Sequence, residues 1–314
     1  MASFLPAAQD PRNVVRPLSP APDSWDVFTR LVRLPFAIFL DSAAKEPERG
    51  RYSYVAASPF EVISVRGGDV HVSRPASDDI TERKLVTLLT SAADPFRAVA
   101  DRLASWVTVQ EPGLPPFQAG AAGIFGYGLS RSVEKLPPPR RDEFQTPDLV
   151  LGLYDWVIAF DHAAGTCHWI SQGFPGRTVV EREARAKKRW EEVSDLLESG
   201  GDDPIAGRPS GGPPHRTLEP FDLAPTWPVP GPADLLSNFS RRGYVEAVGR
   251  AIEYIRAGDV FQVNLSQRLL YPQRSEPREI YRRLRERNPA PYAGYLDAGD
   301  AVIASSSPDQ FLTL

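Results

Sequence analysis

Four groups of residues in this chain have types and spacings that could carry chemistry. In "VFQVNLSQRL" (260–269), Phe261, Val263, Leu265 and Leu269 alternate with Gln262, Asn264, Ser266 and Arg268. Amide, hydroxyl and guanidinium groups in one row can line a cavity for a polar substrate. The same alternation also describes the solvent face of an antiparallel sheet, and on the pattern alone that reading is favoured. Gly120, Gly123, Gly126 and Gly128 could cradle a phosphate, but no Gly-Lys-Ser/Thr follows and the spacing is not G-x-G-x-x-G. A close-packed strand or turn is the better account. His162, Cys167 and His168 could hold a metal. Cys167 and His168, however, are neighbours in an expected strand and point to opposite faces, so no metal site is assigned in this chain. Nothing in the sequence marks Cys167 as a nucleophile. The arginines of 278–287 could meet phosphate or an acidic partner, and a solvated helix face explains them as well.

The elements that must position these groups announce themselves unevenly. Residues 1–23 hold five prolines and no periodic pattern, and read as an extended arm. "PFAIFLDS" (35–42) reads as a buried strand ending at polar residues. "GRYSYVAASPFEVISVRGGDVHVS" (50–73) reads as strands with a hairpin turn at Gly67-Gly68-Asp69. "DPFRAVADRLASWV" (94–107) predicts a helix: Asp94 can cap it, Pro95 suits its first position, and Phe96, Val99, Leu103 and Trp106 recur at helical spacing. Residues 147–171 predict two strands around an Asp-His-Ala-Ala-Gly turn, and 178–199 a charged helix whose alternating signs suggest a solvated surface. "GGDDPIAGRPSGGPPHRT" (200–217) has no apolar stripe and reads as a linker.

Beyond it, "SRRGYVEAVGRAIEYIRAGD" (240–259) predicts a helix capped by Ser240. Tyr244, Val248, Ile252 and Ile255 lie on one face, and Gly258 is placed to end it in a left-handed turn. An Arg-rich helix broken by Pro289 and a hairpin over 292–305 complete the pattern. The division expected is an arm (1–23), an N-terminal domain (24–199), a linker (200–235) and a second unit (236–314).

The 314 residues carry a net charge of −4 with a pI near 5.7, which gives no bulk electrostatic case for nucleic acid. Prolines number 32, about twice the usual share of roughly 5%, and cluster in connectors. A single cysteine excludes an internal disulfide. The first residues lack a Lys-led apolar leader, and the longest apolar run, "LPFAIFL", is far short of the ~20 residues a membrane span needs. A cytoplasmic protein is expected.

The run "EYIRAGDVFQVNLSQRL" (253–269) closely resembles a signature of chorismate-utilising enzymes, the large subunits of anthranilate synthase and aminodeoxychorismate synthase. "FLDSA…GRYSYVAASPFEVI" (39–63), "GAAGIFGYGL" (120–129), "FDH" (160–162) and "RNPAPYAGYLDAGDAVIASSSPDQFL" (287–312) resemble further family segments, in family order. The resemblance implies an α+β fold, β-sheets flanked by helices, with 24–199 as the N-terminal domain and 236–314 as the first part of the chorismate-binding domain. Family chains continue past the serine-proline segment into a "P-I-x-G-T" motif, the Mg²⁺-holding acidic residues and further glycine-rich segments. This sequence is therefore expected to be truncated and inactive alone. A sheet cut there would leave unpaired backbone groups along an edge.

What the resemblance implies about chemistry is equally specific. Chorismate loses a hydroxyl with help from Mg²⁺, and ammonia from a glutamine amidotransferase subunit replaces it. Anthranilate synthases then expel pyruvate, whereas aminodeoxychorismate synthases keep the amino product. The family's "S-S-P-E-R-F" reads Ser306-Ser307-Pro308-Asp309-Gln310-Phe311 here, so Asp309 stands where a general acid/base glutamate is expected, one methylene short. A misplacement of about 1 Å can lower a rate by roughly 10²-fold. Relatives bind tryptophan at a serine ending the first strand motif and at an "N-P-x-P-Y" turn, which maps onto Ser42 and onto Asn288, Pro291 and Tyr292 with Ala293 following. "LDS" in place of the "LES" of feedback-regulated anthranilate synthases leans toward aminodeoxychorismate synthase. A non-catalytic protein that binds tryptophan or docks the amidotransferase is the alternative of another class.

Overall fold

The computed structural model describes residues 13–44, 49–138, 141–199 and 223–310. In chain order the elements are β1 (Val14–Pro17), α1 (Ser24–Leu31), β2 (Ile38–Asp41), β3 (Tyr52–Ala56), β4 (Glu61–Arg66), β5 (Asp69–Pro75), β6 (Leu85–Ser91), α2 (Pro95–Ala104), β7 (Gly120–Phe125), a 3-10 turn (Tyr127–Ser132), β8 (Leu149–Tyr154), β9 (Trp156–Asp161), β10 (Thr166–Ser171) and α3 (Val179–Glu198). There follow β11 (Trp227–Pro228), β12 (Leu236–Ser237), α4 (Arg241–Ala257), β13 (Leu269–Leu270), α5 (Pro277–Arg287), β14 (Tyr292–Asp297) and β15 (Val302–Ser307). The chain divides into two compact units. One takes the described residues up to Pro137, those from Thr146 to Ser199, and those from Pro277 onward. The other takes those within Pro138–Gln145 and Arg216–Glu276.

The first unit is built on two antiparallel sheets, ordered β1-β10-β9-β3-β2-β14-β15 and β6-β5-β4-β8-β7. The chain passes between them twice, from β3 to β4 and from β8 to β9, where only buried Asp155 separates two runs of buried residues. Strand alternation then sorts the side chains into layers. Ile38, Tyr54, Val62, Val150, Val157 and Leu296 fill the space between the sheets. Phe39, Val55, Trp156, Ile158, Trp169 and Tyr295 face the other way, against α1, α3 and α5. Ile63, Val65, Leu149 and Leu151 pack with Val99 of α2.

Several expectations hold: the α+β class with flanking helices, the Gly67-Gly68 hairpin, the Asp94 cap accepting from Phe96 N at 2.9 Å, and the hairpin expected over 292–305, whose strands run Tyr292–Asp297 and Val302–Ser307. Gly120–Phe125 is a strand, and a Cβ on Gly123 would meet Val150 O at 2.0 Å, so close packing is what that glycine serves.

Others are corrected. Residues 14–17 pair with β10 as an edge strand, and Ser24–Leu31 is a helix capped by Asp23; four residues ending in proline are too few to show a period. Residues 1–12 of the expected arm lie outside the described residues, as do 200–222 of the expected linker. Residues 147–171 form three strands in two sheets. The strands 50–66 likewise split between sheets, because an apolar run does not say which sheet it joins. The charged helix α3 is not simply solvated: it buries Ala186, Arg189 and Val193, and Arg185 reaches buried Asp155 at 3.2 Å. Residues 277–310 belong with the first unit, since β14 pairs with β2 rather than with any strand of 223–276.

In the second unit three two-residue strands pair as β11-β12-β13. Arg268 bonds Glu143 at 2.6 Å and holds its carboxyl down at about 2. The α4 caps are those expected: Ser240 Oγ accepts from Gly243 N, and Gly258 sits at φ +83°. No α4 residue is buried, and Ile252, Tyr254 and Ile255 are exposed. Residues 260–268 do not form the expected strand. No strand among the described residues pairs with them before Leu269, and alternation alone cannot hold an unpaired extended segment. No helix among the described residues is long and apolar enough to cross a membrane.

Candidate functional site

The order β3-β2-β14-β15 brings four sequence-distant segments to one end of the larger sheet. β2 ends at Asp41 with Ser42 following, β3 begins at Tyr52, β14 begins at Tyr292 and β15 ends at Ser307. Register fixes the neighbours: Ala293 lies opposite both Asp41 and Ser306, and Tyr292 opposite Ser307. Gly50 marks the contact between the first and third segments. A Cβ there would lie 3.3 Å from Ser42 Cβ and 3.4 Å from Pro291 Cβ. The structure therefore brings together Ser42, Pro291, Tyr292 and Ala293, with Asn288 one turn away.

Their polar groups are organised. Ser42 N donates to Ser53 Oγ at 3.1 Å, and Ser42 Oγ donates to Tyr52 O. Ser53 Oγ, having accepted from Ser42, has its own proton for His162 Nε2 at 2.8 Å. Ala44 N donates to Ala290 O at 3.3 Å, and Ser306 Oγ donates to Asn288 O while accepting from Asn288 Nδ2 at 3.1 Å. Two carbonyls of the proline turn are thus already engaged, each with a second lone pair remaining. Tyr292 OH donates to Gln310 Oε1 at 3.0 Å. At the rim, Arg51 donates to Asp161 at 3.0 and 2.7 Å, lies over the Tyr52 ring, and holds the Asp161 carboxyl below its usual range.

Asp41 and Ser42 take different roles. The Asp41 carboxylate is buried and accepts from Tyr281 OH at 3.1 Å and Arg285 Nε at 2.8 Å. Burial, with that carboxylate beside it, pushes the Tyr281 phenol up. Arg285 therefore belongs to a buried ion pair and not only to a solvated face. Ser42 retains acceptor capacity at the sheet end. Acceptor oxygens beside an aromatic ring suit a ligand that donates hydrogen bonds from a cationic or amide group.

Asp309 follows β15 and is exposed. Its N–H donates to Ser307 Oγ and its carbonyl accepts from that hydroxyl, both at 3.2 Å, while its carboxylate has no partner among the described residues. Phe311 lies outside the described residues. Gln262, Asn264 and Ser266 are exposed in the second unit, the first two joined at 3.2 Å. No group of three His, Cys, Asp or Glu that could hold a metal occurs among the described residues, so Mg²⁺ is not placed on them. Cys167 is buried, which pushes its thiol up to about 12. Sequence reasoning missed Ser53 and the Arg51–Asp161 pair, and weighed His162 only as a metal ligand and as part of the "FDH" segment. The polar Ser53 within the apolar run "YSYVA" was the available signal.

Residues 37–314 match the model of the family described as chorismate binding enzyme. The chain is 38% identical to anthranilate synthase component 1 of Thermus thermophilus over 219 residues, 70% of this chain and 41% of that protein. It is 32% identical to anthranilate synthase component 1 of Pseudomonas aeruginosa over 285 residues, 90% of this chain and 53% of that protein. It is 28% identical to aminodeoxychorismate synthase component 1 of Escherichia coli over 285 residues, 91% and 53% of the two chains. The crystal structure of anthranilate synthase component I from Streptococcus pneumoniae superposes with a TM-score of 0.57 at 24% identity, covering 84% of this chain and 51% of that one; the likeness is one of fold. The chain spans about half the length of the curated relatives it matches.

Proposed function

The chain belongs to the chorismate binding enzyme family, and on that premise we propose that it is a portion of a chorismate-aminating large subunit, that of aminodeoxychorismate synthase, with a cytoplasmic glutamine amidotransferase subunit as its source of ammonia. The observation that carries this reading is the convergence of Ser42 with the Asn288–Ala293 turn at one sheet end, an arrangement that supports tryptophan as the ligand there. The indole would lie against Tyr292, with the ammonium on the remaining lone pairs of Ser42 and the turn carbonyls. Asp41 spends its carboxylate on Tyr281 and Arg285, which supports the lean away from a strongly feedback-regulated enzyme. A second reading, anthranilate synthase component I, is favoured by the higher identities to relatives of that name.

Catalysis by these residues alone is not part of the proposal. Mg²⁺ would offset substrate charge in the whole enzyme, held by acidic residues of the family's later segments. Asp309 would act as the general acid/base only where further walls remove it from solvent. Gln262, Asn264 and Ser266 would line a substrate cavity only once a neighbouring strand orders them.

The test is a pair of measurements on the 314-residue chain. With chorismate, Mg²⁺ and ammonium, no chorismate is consumed; turnover would overturn the claim of an incomplete catalyst. With tryptophan, the melting temperature rises, about 2–4 °C for each kcal/mol of binding in a chain this size, and Ser42→Ala abolishes the rise. A tryptophan shift unchanged in Ser42→Ala would sink the assignment of the pocket.

A further inference from the structure

The sheet end opposite Ser42 looks onto the space between the two sheets of the first unit. A cavity of about 540 Å³ opens there beneath the β14–β15 turn. That volume lies within the range of roughly 300–1,000 Å³ typical of small-molecule pockets. Its apolar wall is Phe36, Val62 and Leu85. The wall is fixed in advance: Phe36 is held at φ +51°, and its carbonyl accepts from Tyr154 OH at 2.7 Å.

The charges around the mouth are not balanced. Arg66, Arg83 and Lys84 line the cavity against a single lining carboxylate, Asp300. Arg66 is paired with Asp300. Arg83 donates to Asp297 at 2.9 Å and to Arg33 O at 2.9 Å. Lys84, just before β6, has no carboxylate partner among the described residues, and the half-buried Ser64 hydroxyl on β4, two strands away, has no hydrogen-bond partner among them. One cation without a carboxylate therefore stands at the edge of an apolar space.

We propose that this cavity binds a small monocarboxylate with an apolar or aromatic body. The carboxylate sits on the Lys84 ammonium, and the body lies against Phe36 and the neighbouring Leu85. A cationic ligand would meet the like charge of Lys84, which no carboxylate offsets. A neutral one would leave Lys84 unanswered, and a dianion would need a second free cation, since Arg66 and Arg83 already have carboxylates. The proposal stands apart from the tryptophan reading, because its residues share nothing with Ser42 or the Asn288–Ala293 turn.

Phenylacetate is a suitable probe and phenylacetamide its uncharged isostere. Calorimetric titration of the full chain is expected to show saturable one-to-one binding of phenylacetate, with the amide about tenfold weaker, as one charge-assisted bond implies. Lys84→Ala, at an exposed position that leaves the fold intact, weakens phenylacetate by the same factor. Leu85→Trp fills the space and removes binding. Ser42→Ala leaves it unchanged. Absence of saturation up to about 10 mM, below the affinity any useful site would show, overturns the proposal. So does equal binding of acid and amide, or affinity indifferent to both Lys84→Ala and Leu85→Trp.

Discussion

Asp41 shows how a single residue can tie the unit together. Its carboxylate is fully enclosed, yet both groups that answer it, Tyr281 and Arg285, come from α5, 240 and 244 residues along the chain. The side chains are 1% exposed for Asp41 and 18% for Arg285, so water cannot replace the guanidinium. Breaking a buried pair by removing one partner costs about 3–5 kcal/mol, because the other charge is left buried. Losing the Tyr281 hydroxyl removes one hydrogen bond, about 1–1.5 kcal/mol, and keeps the ring. Arg285→Ala is therefore expected to destabilise by roughly 3 kcal/mol and Tyr281→Phe by about 1 kcal/mol in urea unfolding. Equal effects, or a larger one for Tyr281→Phe, would show that the pair is not what holds Asp41. A charge at the end of the apolar run "FAIFLD" was visible in the sequence, but its partners were not. Nothing local distinguishes Arg285 from the arginines around it, which pair with Glu279 and Glu286 on the helix surface.

At the scale of elements, what was legible was what is local. The Asp94 and Ser240 caps, the Gly258 left-handed stop and the Gly67-Gly68 turn each depend on residues within a few positions, and each is found where expected. What was not legible depended on neighbours. The strand alternation of 260–268 failed for want of a strand to pair with, and the passage from one sheet to the other at Asp155 leaves no mark in a run of apolar residues. Gly123 sits between these cases. Its spacing with Gly120 and Gly126 suggested close packing, and the partner turned out to be the backbone of β8, with Val150 O at 2.0 Å and Leu151 Cα at 2.9 Å from a Cβ placed there. Backbone cannot swing aside as a side chain can. Gly123→Ala must therefore separate β7 from β8 at an edge of the smaller sheet, with a loss of about 2–3 kcal/mol in the range of overpacking changes. Gly165→Ala is the control: its site is open, though φ there is +65°, so strain of about 1–2 kcal/mol is all it incurs. The deciding measurement is hydrogen exchange on β7, which should quicken in Gly123→Ala and stay unchanged in Gly165→Ala. Unchanged β7 protection in both would mean the close approach is not a constraint.

At the scale of the whole molecule, the two units differ in what they bury. The first encloses aromatic and aliphatic side chains on both faces of its larger sheet, with Trp156, Trp169, Phe28 and Phe39 fully removed from water. The second relies on three two-residue strands, the Glu143–Arg268 pair and a 17-residue helix with no buried residue. Packing of an apolar face, more than intrinsic propensity, stabilises helices in proteins, and an isolated helix of ~15 residues is marginal in water. Val245, Ile252, Tyr254 and Ile255 give α4 apolar groups that no layer covers among the described residues. Opening of α4 then requires little free energy, whereas opening of β9 requires disrupting the core of the first unit. Backbone amides of α4 are expected to exchange with protection factors below about 10², and those of β9 with factors above about 10⁴, which corresponds to more than about 5 kcal/mol. Exchange measured peptide by peptide decides the matter. Protection of α4 matching that of β9 would mean that the helix has a covering layer after all, and the second unit would then count as an independently stable body.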